Sequence, residues 1–372
     1  MSLNLRSPGP TPCPEDVLQA MGRQMIHHRS PAFAEIIGRV TEGLRTVFET
    51  KNDLFCLSSS GTGAMEAMIV NFLSPGDRVL VVSIGVFGER FATIAETYGV
   101  SVTKLDFEWG TAADPSAVEQ AVSEGGPFKA VLVTHNETST GITNDLEAIA
   151  AAARKAQPGV LMLVDAISSL GSIRCKVDAW ELDVIATGSQ KGWMVPPGLA
   201  MISISERGWQ AYEESTMPKF YFDLGKSKEF LAKGQTPWTP AISIFFALDV
   251  ALGHLMEEGV DGIIERHQRI ADLTRNGVKS LGLELLATGA NASNTVTAVR
   301  VPDGVEWKTL YHMLQDDYDT LIEGGQGPLA GKIFRIGHLG WVSDEDIELT
   351  INALRQALPR VGFQLPEATP AS

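Results

Sequence analysis

The chain has 372 residues but only three cysteines, Cys13, Cys56 and Cys175, at wide spacing. An odd number so placed fits neither a disulfide framework nor a zinc site, and a reducing compartment is the simplest expectation. Lysine- and arginine-rich runs are absent and the formal charge is −15, which argues against nucleic acid as a partner. No apolar stretch approaches the length of a membrane span, and Met1 to Pro10 lacks the apolar core of a signal peptide. The C-terminal Pro370-Ala371-Ser372 is no peroxisomal address, so the expected location is cytoplasmic, without membrane contact. A Walker lysine and a G-x-G-x-x-G loop are missing too, which weakens nucleotide readings. There is no internal repeat, and only Pro366 to Ser372 reads as a loose tail.

What is present is a hydrophobic content of 44%, enough for a substantial core, in a chain long enough for one large domain and a smaller one. From about 50 to 205, buried-strand runs alternate with helical runs, as a mostly parallel sheet covered on both faces requires. Candidate strands are Val79 to Val82, Ala130 to Val133, Leu161 to Val164 and Leu199 to Ile202, with helices at Glu89 to Tyr98 and Leu146 to Ala156. A helix over Ala241 to Glu258 stops at Gly259 and leads into another, Ile263 to Leu281. Beyond it, Thr295 to Val301 and Lys332 to Ile336 alternate as half-buried strands do, Trp307 to Asp317 is helical, and Ser343 is placed to cap a helix over Asp344 to Leu358. The expected fold class is α/β, with a small α+β domain at the C-terminus.

The residues with chemical potential fall at strand ends. Lys191, in Gly188-Ser189-Gln190-Lys191, follows one apolar run, and Asp165 ends another. A lysine partly desolvated at the mouth of a sheet has a lowered pKa and a free amine for an aldehyde. Pyridoxal phosphate requires such a pair, the amine to hold its aldehyde and a carboxylate to keep its ring nitrogen protonated. A surface lysine and a loop aspartate are the plainer reading of each residue alone. Ser60-Gly61-Thr62-Gly63 opens a helix whose free N–H groups suit a phosphate, though an ordinary serine-capped helix reads the same way. Phe87 follows a strand and could stack on a flat ring or simply belong to the core. His135 to Gly141 offers several polar side chains to the same edge of the sheet. Arg335, between Phe334 and Ile336, is either a fork for a substrate carboxylate or a solvated strand arginine.

Taken in order, Pro8-Gly9-Pro10, Ser60-Gly61-Thr62-Gly63, Gly85-Val86-Phe87-Gly88, His135-Asn136-Glu137-Thr138-Ser139-Thr140-Gly141, Val164-Asp165, Gly188-Ser189-Gln190-Lys191 with Pro196-Pro197-Gly198, and Phe334-Arg335-Ile336-Gly337 resemble the class V aminotransferases over nearly the whole chain. The likeness is strongest to the alanine–glyoxylate and serine–glyoxylate (serine–pyruvate) branch. It implies the PLP-dependent transferase fold type I: a large domain with a mostly parallel seven-stranded sheet between helices, a small α+β C-terminal domain, and a homodimer with active sites at the subunit interface. On that basis residues 1–15 line the active site, 16–260 form the PLP-binding domain and 261–372 the small domain.

The resemblance also implies roles. Lys191 is the Schiff-base lysine and proton shuttle, and Asp165 partners the pyridinium nitrogen. Ser60, Gly61, Thr62 and Gln190 hold the phosphate, Phe87 and Ile167 cover the two ring faces, and Thr138 bonds near the ring hydroxyl. Arg335 takes the substrate α-carboxylate, while Pro8 and Gly9 line the substrate site. A threonine from the partner subunit reaches the phosphate, with Thr236 preferred over Thr239. The implied activity is ping-pong transfer of an amino group from alanine or serine to glyoxylate or pyruvate. Four alternatives stand beside it: an aspartate-using relative, for which Arg29 is a candidate second cation; a ureidoglycine-using one; a PLP-dependent lyase; and an accessory subunit of a hydrogenase.

Overall fold

The computed structural model describes residues 3–366, so all but the first residue of the expected tail at Pro366 to Ser372 lies outside the described residues. Its centre is a seven-stranded sheet: β1 (Asp53–Ser59), β2 (Arg78–Ser83), β3 (Ser101–Asp106), β4 (Ala130–Thr134), β5 (Leu161–Asp165), β6 (Val184–Gly188) and β7 (Gly198–Ile204). The spatial order is β1-β7-β6-β5-β4-β2-β3, and β7 alone runs opposite in direction to the other six. The alternate residues of the central strands enter different cores. Leu80, Val82, Val131, Val133, Met162 and Val164 pack on one face, and Val79, Val81, Ala130, Leu132, Leu161 and Leu163 on the other. Burial on both faces is why these strands read as unbroken apolar runs.

A second, antiparallel sheet has the order β8 (Val296–Arg300), β10 (Ile333–Gly337), β9 (Glu323–Gly324). It shares a third core, including Val299, Phe334, Ile336, Ile347 and Leu354, with the final helix, Asp344–Arg360. That helix begins as expected. Ser343 accepts the Asp346 N–H, and the Asp346 carboxylate accepts the Ser343 N–H in return. The two expected helices around Gly259 join without a loop into one run, Ile242–Ser280, in which Gly259 alone is non-helical (φ 74°, ψ 156°). Glycine adopts this backbone without a Cβ clash, so the first helix breaks at Gly259, as expected, and the next follows directly. Among the described residues no helix is long and apolar enough to cross a membrane.

The edge of the large sheet where the parallel strands begin is pinned by one carboxylate. Asp183, fully buried, accepts from Met162 N (2.8 Å) and Arg154 Nη2 (3.0 Å) on one oxygen and from Arg207 Nε (2.7 Å) and Ser205 Oγ (3.0 Å) on the other. It thereby ties together the ends of β5, β6 and β7. Removing it takes the carboxylate from Arg154, whose other contacts are Glu181 and the Trp180 carbonyl, and from Arg207, which is a third exposed, and empties a buried polar site. Asp183→Ala is expected to lower unfolding stability by about 3–5 kcal/mol, seen as a lower urea midpoint; an unchanged midpoint would show that solvent replaces the clamp.

Candidate active site

The opposite edge, where the parallel strands end, gathers the expected residues. Ser60 follows β1, Phe87 lies in the first turn of the helix after β2 (Val86–Thr97), and Thr138 follows β4. Asp165 is the last residue of β5 with Ile167 two residues on, and Gln190 and Lys191 follow β6. Loops at this edge are free to carry chemistry because the strands behind them are fixed.

Lys191 is only 9% exposed, and its ammonium group donates to Pro8 O. Burial pulls its pKa down to about 8, opposed by the Asp165 carboxylate and assisted by the positive charges of Arg335 and Arg90. Asp165 is 3% exposed. Burial pushes its pKa up to about 7, against the pull of the Ile167 N–H, which donates to Oδ1 at 2.9 Å. The Glu137 carboxylate raises it further, and Lys191 and Arg90 lower it. Two opposite charges are thus taken out of water at one place, and the lysine loses its proton far more readily than an exposed one would.

The N-terminal segment closes over this pair. Asn4–Leu5 pairs in parallel with Thr320–Leu321, Gly337 N donates to Arg6 O at 2.6 Å, and Thr11 donates from its hydroxyl to Lys191 O at 3.1 Å. Gly9, at φ +133°, lies so close that a Cβ there would sit 2.6 Å from Lys191 Cε. Pro8 and Gly9 therefore line the lysine, and only glycine fits the second position.

Ser60 caps the helix Gly61–Phe72 by accepting the Gly63 N–H at 3.4 Å. A Cβ on Gly61 would stand 2.6 Å from Ile167 Cδ1, so this helix start and the Ile167 side chain nearly touch. Gln190 Oε1 is buried without a hydrogen-bond partner. The free N–H groups of this helix start, the Gln190 amide NH2 group beside them and the buried Lys191 amine are a set that fits the phosphate and aldehyde of pyridoxal phosphate.

Arg335 is 4% exposed, buried along with Phe334 and Ile336 rather than solvated on the open face of its strand. Its Nε donates to Gly324 O (2.9 Å) and Nη1 to Thr138 O (3.1 Å), which fixes the guanidinium plane and leaves three of its five N–H donors for a ligand. Burial lowers its pKa, against the Glu323 and Glu137 carboxylates. Thr236 and Thr239 lie elsewhere. The Thr236 hydroxyl donates to Trp238 O at 2.7 Å, Thr239 is exposed, and the Ala241 N–H that follows donates to Ser58 Oγ at 2.8 Å. Among the described residues neither threonine is bonded to the Lys191 group of its own chain. Arg29 is also remote, exposed and donating to Gln235 Oε1 at 2.6 Å.

Two residues of the site were not singled out in the sequence. Glu137, fully buried, accepts from Phe87 N (2.9 Å), Gly88 N (3.3 Å) and both Ser139 N (3.0 Å) and Oγ (2.6 Å), so a carboxylate from the β4 loop caps the helix that carries Phe87. Arg90 lies over the Phe87 ring, 4.8 Å from its centroid, one helical turn on. Only the i, i+3 spacing of Phe87 and Arg90 was available as a signal.

The family model for class V aminotransferases matches residues 3–334. The chain belongs to the class V aminotransferases. A soluble hydrogenase small subunit of Synechococcus sp. (strain PCC 6716) is 46% identical, over 96% of this chain and 94% of that protein. An L-aspartate–glyoxylate aminotransferase of Paracoccus denitrificans is 36% identical over 91% of this chain and 86% of its own length. The crystal structure of an alanine–glyoxylate aminotransferase from Nostoc sp. superposes with a TM-score of 0.93 at 32% identity, covering 96% of both chains. The α/β fold expected of the PLP-dependent transferases, fold type I, is the one this aminotransferase has.

The geometry fixes the pH response of the free lysine. In cofactor-free protein the rate of aldehyde capture by Lys191 should rise with pH through about 8, as the buried ammonium loses its proton, and not near the ordinary 10.5. Asp165→Asn removes the charge that holds the proton on, so its midpoint should fall below that of the native protein. A midpoint near 10.5, or one unmoved in Asp165→Asn, contradicts the assignment.

Proposed function

We propose that this chain is a pyridoxal-phosphate-dependent aminotransferase that moves the amino group of alanine or serine to glyoxylate or pyruvate. The observation that carries the reading is the buried Lys191 amine, 9% exposed, with its pKa drawn down to about 8 and within reach of the charges of Asp165 and Arg335. Ser60, Gly61, Thr62 and Gln190 would hold the phosphate, Phe87 and Ile167 the ring faces, Thr138 the ring hydroxyl and Asp165 the ring nitrogen. When bound, pyridoxal phosphate supplies an aldehyde for amines and an electron sink for the substrate Cα. With the cofactor bound, the Lys191 amine would be the base that takes the substrate Cα proton and, as the ammonium, the acid that gives it back. Asp165, raised by burial when alone, would keep its charge and hold a proton at the ring nitrogen opposite. Arg335 pairs with the α-carboxylate and so aims the Cα–H at the lysine.

The assembly we propose is a homodimer with the active sites at the subunit interface, cytoplasmic, with residues 1–15 lining the site, 16–260 as the cofactor-binding domain and 261–372 as the small domain. The segment around Thr236 and Thr239 would then serve the partner's phosphate. The Thr236 hydroxyl is committed to Trp238 O, so exposed Thr239 is the better placed of the two. Glyoxylate as acceptor is supported by the names of the Paracoccus and Nostoc proteins.

A small donor is favoured because Arg90, the further cation near Lys191, is occupied with the Phe87 ring, and Arg29 is turned toward Gln235. Among the described residues no three His, Cys, Asp or Glu are grouped to hold a metal, so a hydrogenase role would be an accessory one. Cys175 is buried and its thiol pKa raised, which removes it as the mobile nucleophile of a desulfurase.

The test is the absorbance of the protein with pyridoxal phosphate. Loss of the band near the visible edge on adding alanine or serine, and its return with glyoxylate, is the expected result; no band, or a band bleached by aspartate alone, refutes the reading. Lys191→Ala should abolish both band and turnover. Arg335→Ala should keep the cofactor but lower kcat/KM roughly 10- to 100-fold, through KM, for amino and oxo acids alike.

A further inference from the structure

Asn136 is 2% exposed, and its carboxamide is fully used. Nδ2 donates to Ser168 Oγ at 2.8 Å and to Thr295 Oγ1 at 2.9 Å. Oδ1 accepts from Thr143 Oγ1 at 2.8 Å and from Ser293 Oγ at 2.7 Å. Ser168 Oγ in turn donates to the Asn136 backbone carbonyl at 2.8 Å. A primary amide has two donors and two acceptor positions, so every one is satisfied out of contact with water.

The partners belong to separate pieces of the fold. Ser168 lies in the turn that leaves β5, next to Ile167, whose N–H binds the Asp165 carboxylate. Thr295 immediately precedes β8, the neighbour of β10, in which Arg335 stands opposite Ala298. Thr295 O also accepts the His338 N–H, one residue past the end of β10, at 2.8 Å. Asn136 itself is two residues from Thr138, whose carbonyl accepts from Arg335. One rigid, planar side chain therefore joins the turn behind Asp165 to the strand pair that carries Arg335. The two belong to different sheets.

Resting on the transaminase reading above, the geometry points to Asn136 as a positioning residue that sets the spacing between Asp165 and Arg335. It thereby sets the angle at which a carboxylate-bearing substrate presents its Cα–H to Lys191. Asn136 needs no contact with substrate for this. Loosening it lets the Arg335 strand drift relative to Asp165, which penalises substrates held at both points and spares one held only through its amine.

The test compares alanine with alaninamide, which keeps the amine and the Cα–H but has no carboxylate for Arg335. In protein loaded with pyridoxal phosphate, single-turnover bleaching gives an apparent second-order rate for each. In Asn136→Ala the ratio of alanine to alaninamide rates should fall about tenfold. Thr295→Val, which removes only the hydroxyl on the β8 side, should shift the ratio the same way by less and covers the case in which Asn136→Ala does not fold. Without cofactor, hydrogen exchange at the His338 amide should quicken about tenfold in either variant. Equal losses for both amines would reduce Asn136 to general support, and an unchanged ratio would remove it from substrate alignment; either overturns the inference. Native protein that binds pyridoxal phosphate but bleaches with neither amine overturns the transaminase reading itself.

Discussion

The structure depends on burying an amine and a carboxylate together at the edge of an otherwise apolar sheet. Desolvation alone would make each neutral, and their attraction alone would keep both charged. The balance leaves Lys191 and Asp165 with pKa values of about 8 and about 7, so the pair changes charge readily near neutrality. That balance needs the dry walls of β4, β5 and β6, the N-terminal segment over the lysine and a fixed positive charge at Arg335. Each of these is in place through contacts made far along the chain.

The segment His135 to Ser139 shows how much work falls to one strand exit. His135 is buried, its pKa drawn down to about 4 by burial, and meets Trp180 edge-on. Asn136 reaches the second sheet, Glu137 caps the Phe87 helix, and the Thr138 carbonyl holds Arg335. Successive side chains of an extended segment point to opposite sides, so neighbours in sequence serve different parts of the site.

Much of this was legible in the sequence, for physical reasons. The central strands are buried on both faces and so give unbroken apolar runs, and Asp165 and Lys191 stand out because they end or follow such runs. Ser343 announces its helix because a capping box is local. Glu137 and Asn136 were not legible in their contacts, since each bonds to a partner tens of residues away, Phe87 for Glu137 and Thr295 for Asn136, whereas Arg90 offered only its i, i+3 spacing from Phe87. The burial of Arg335 was hidden too, because its strand's alternation suggested an open face that packing covers. At Gly259 the sequence marked the break correctly, because a glycine between two helical runs is a local signal.

The clamp at Asp183 lies at the far ends of the very strands whose other ends carry Asp165 and Lys191. Asp183 is balanced by Arg154 and Arg207 at its own end and does not enter the charge balance of Lys191 and Asp165, so the electrostatics of the two ends are separate. Evolution or an engineer can therefore harden the Asp183 end, by shortening its loops or adding ion pairs, without altering the charges around the poorly hydrated groups at the other end.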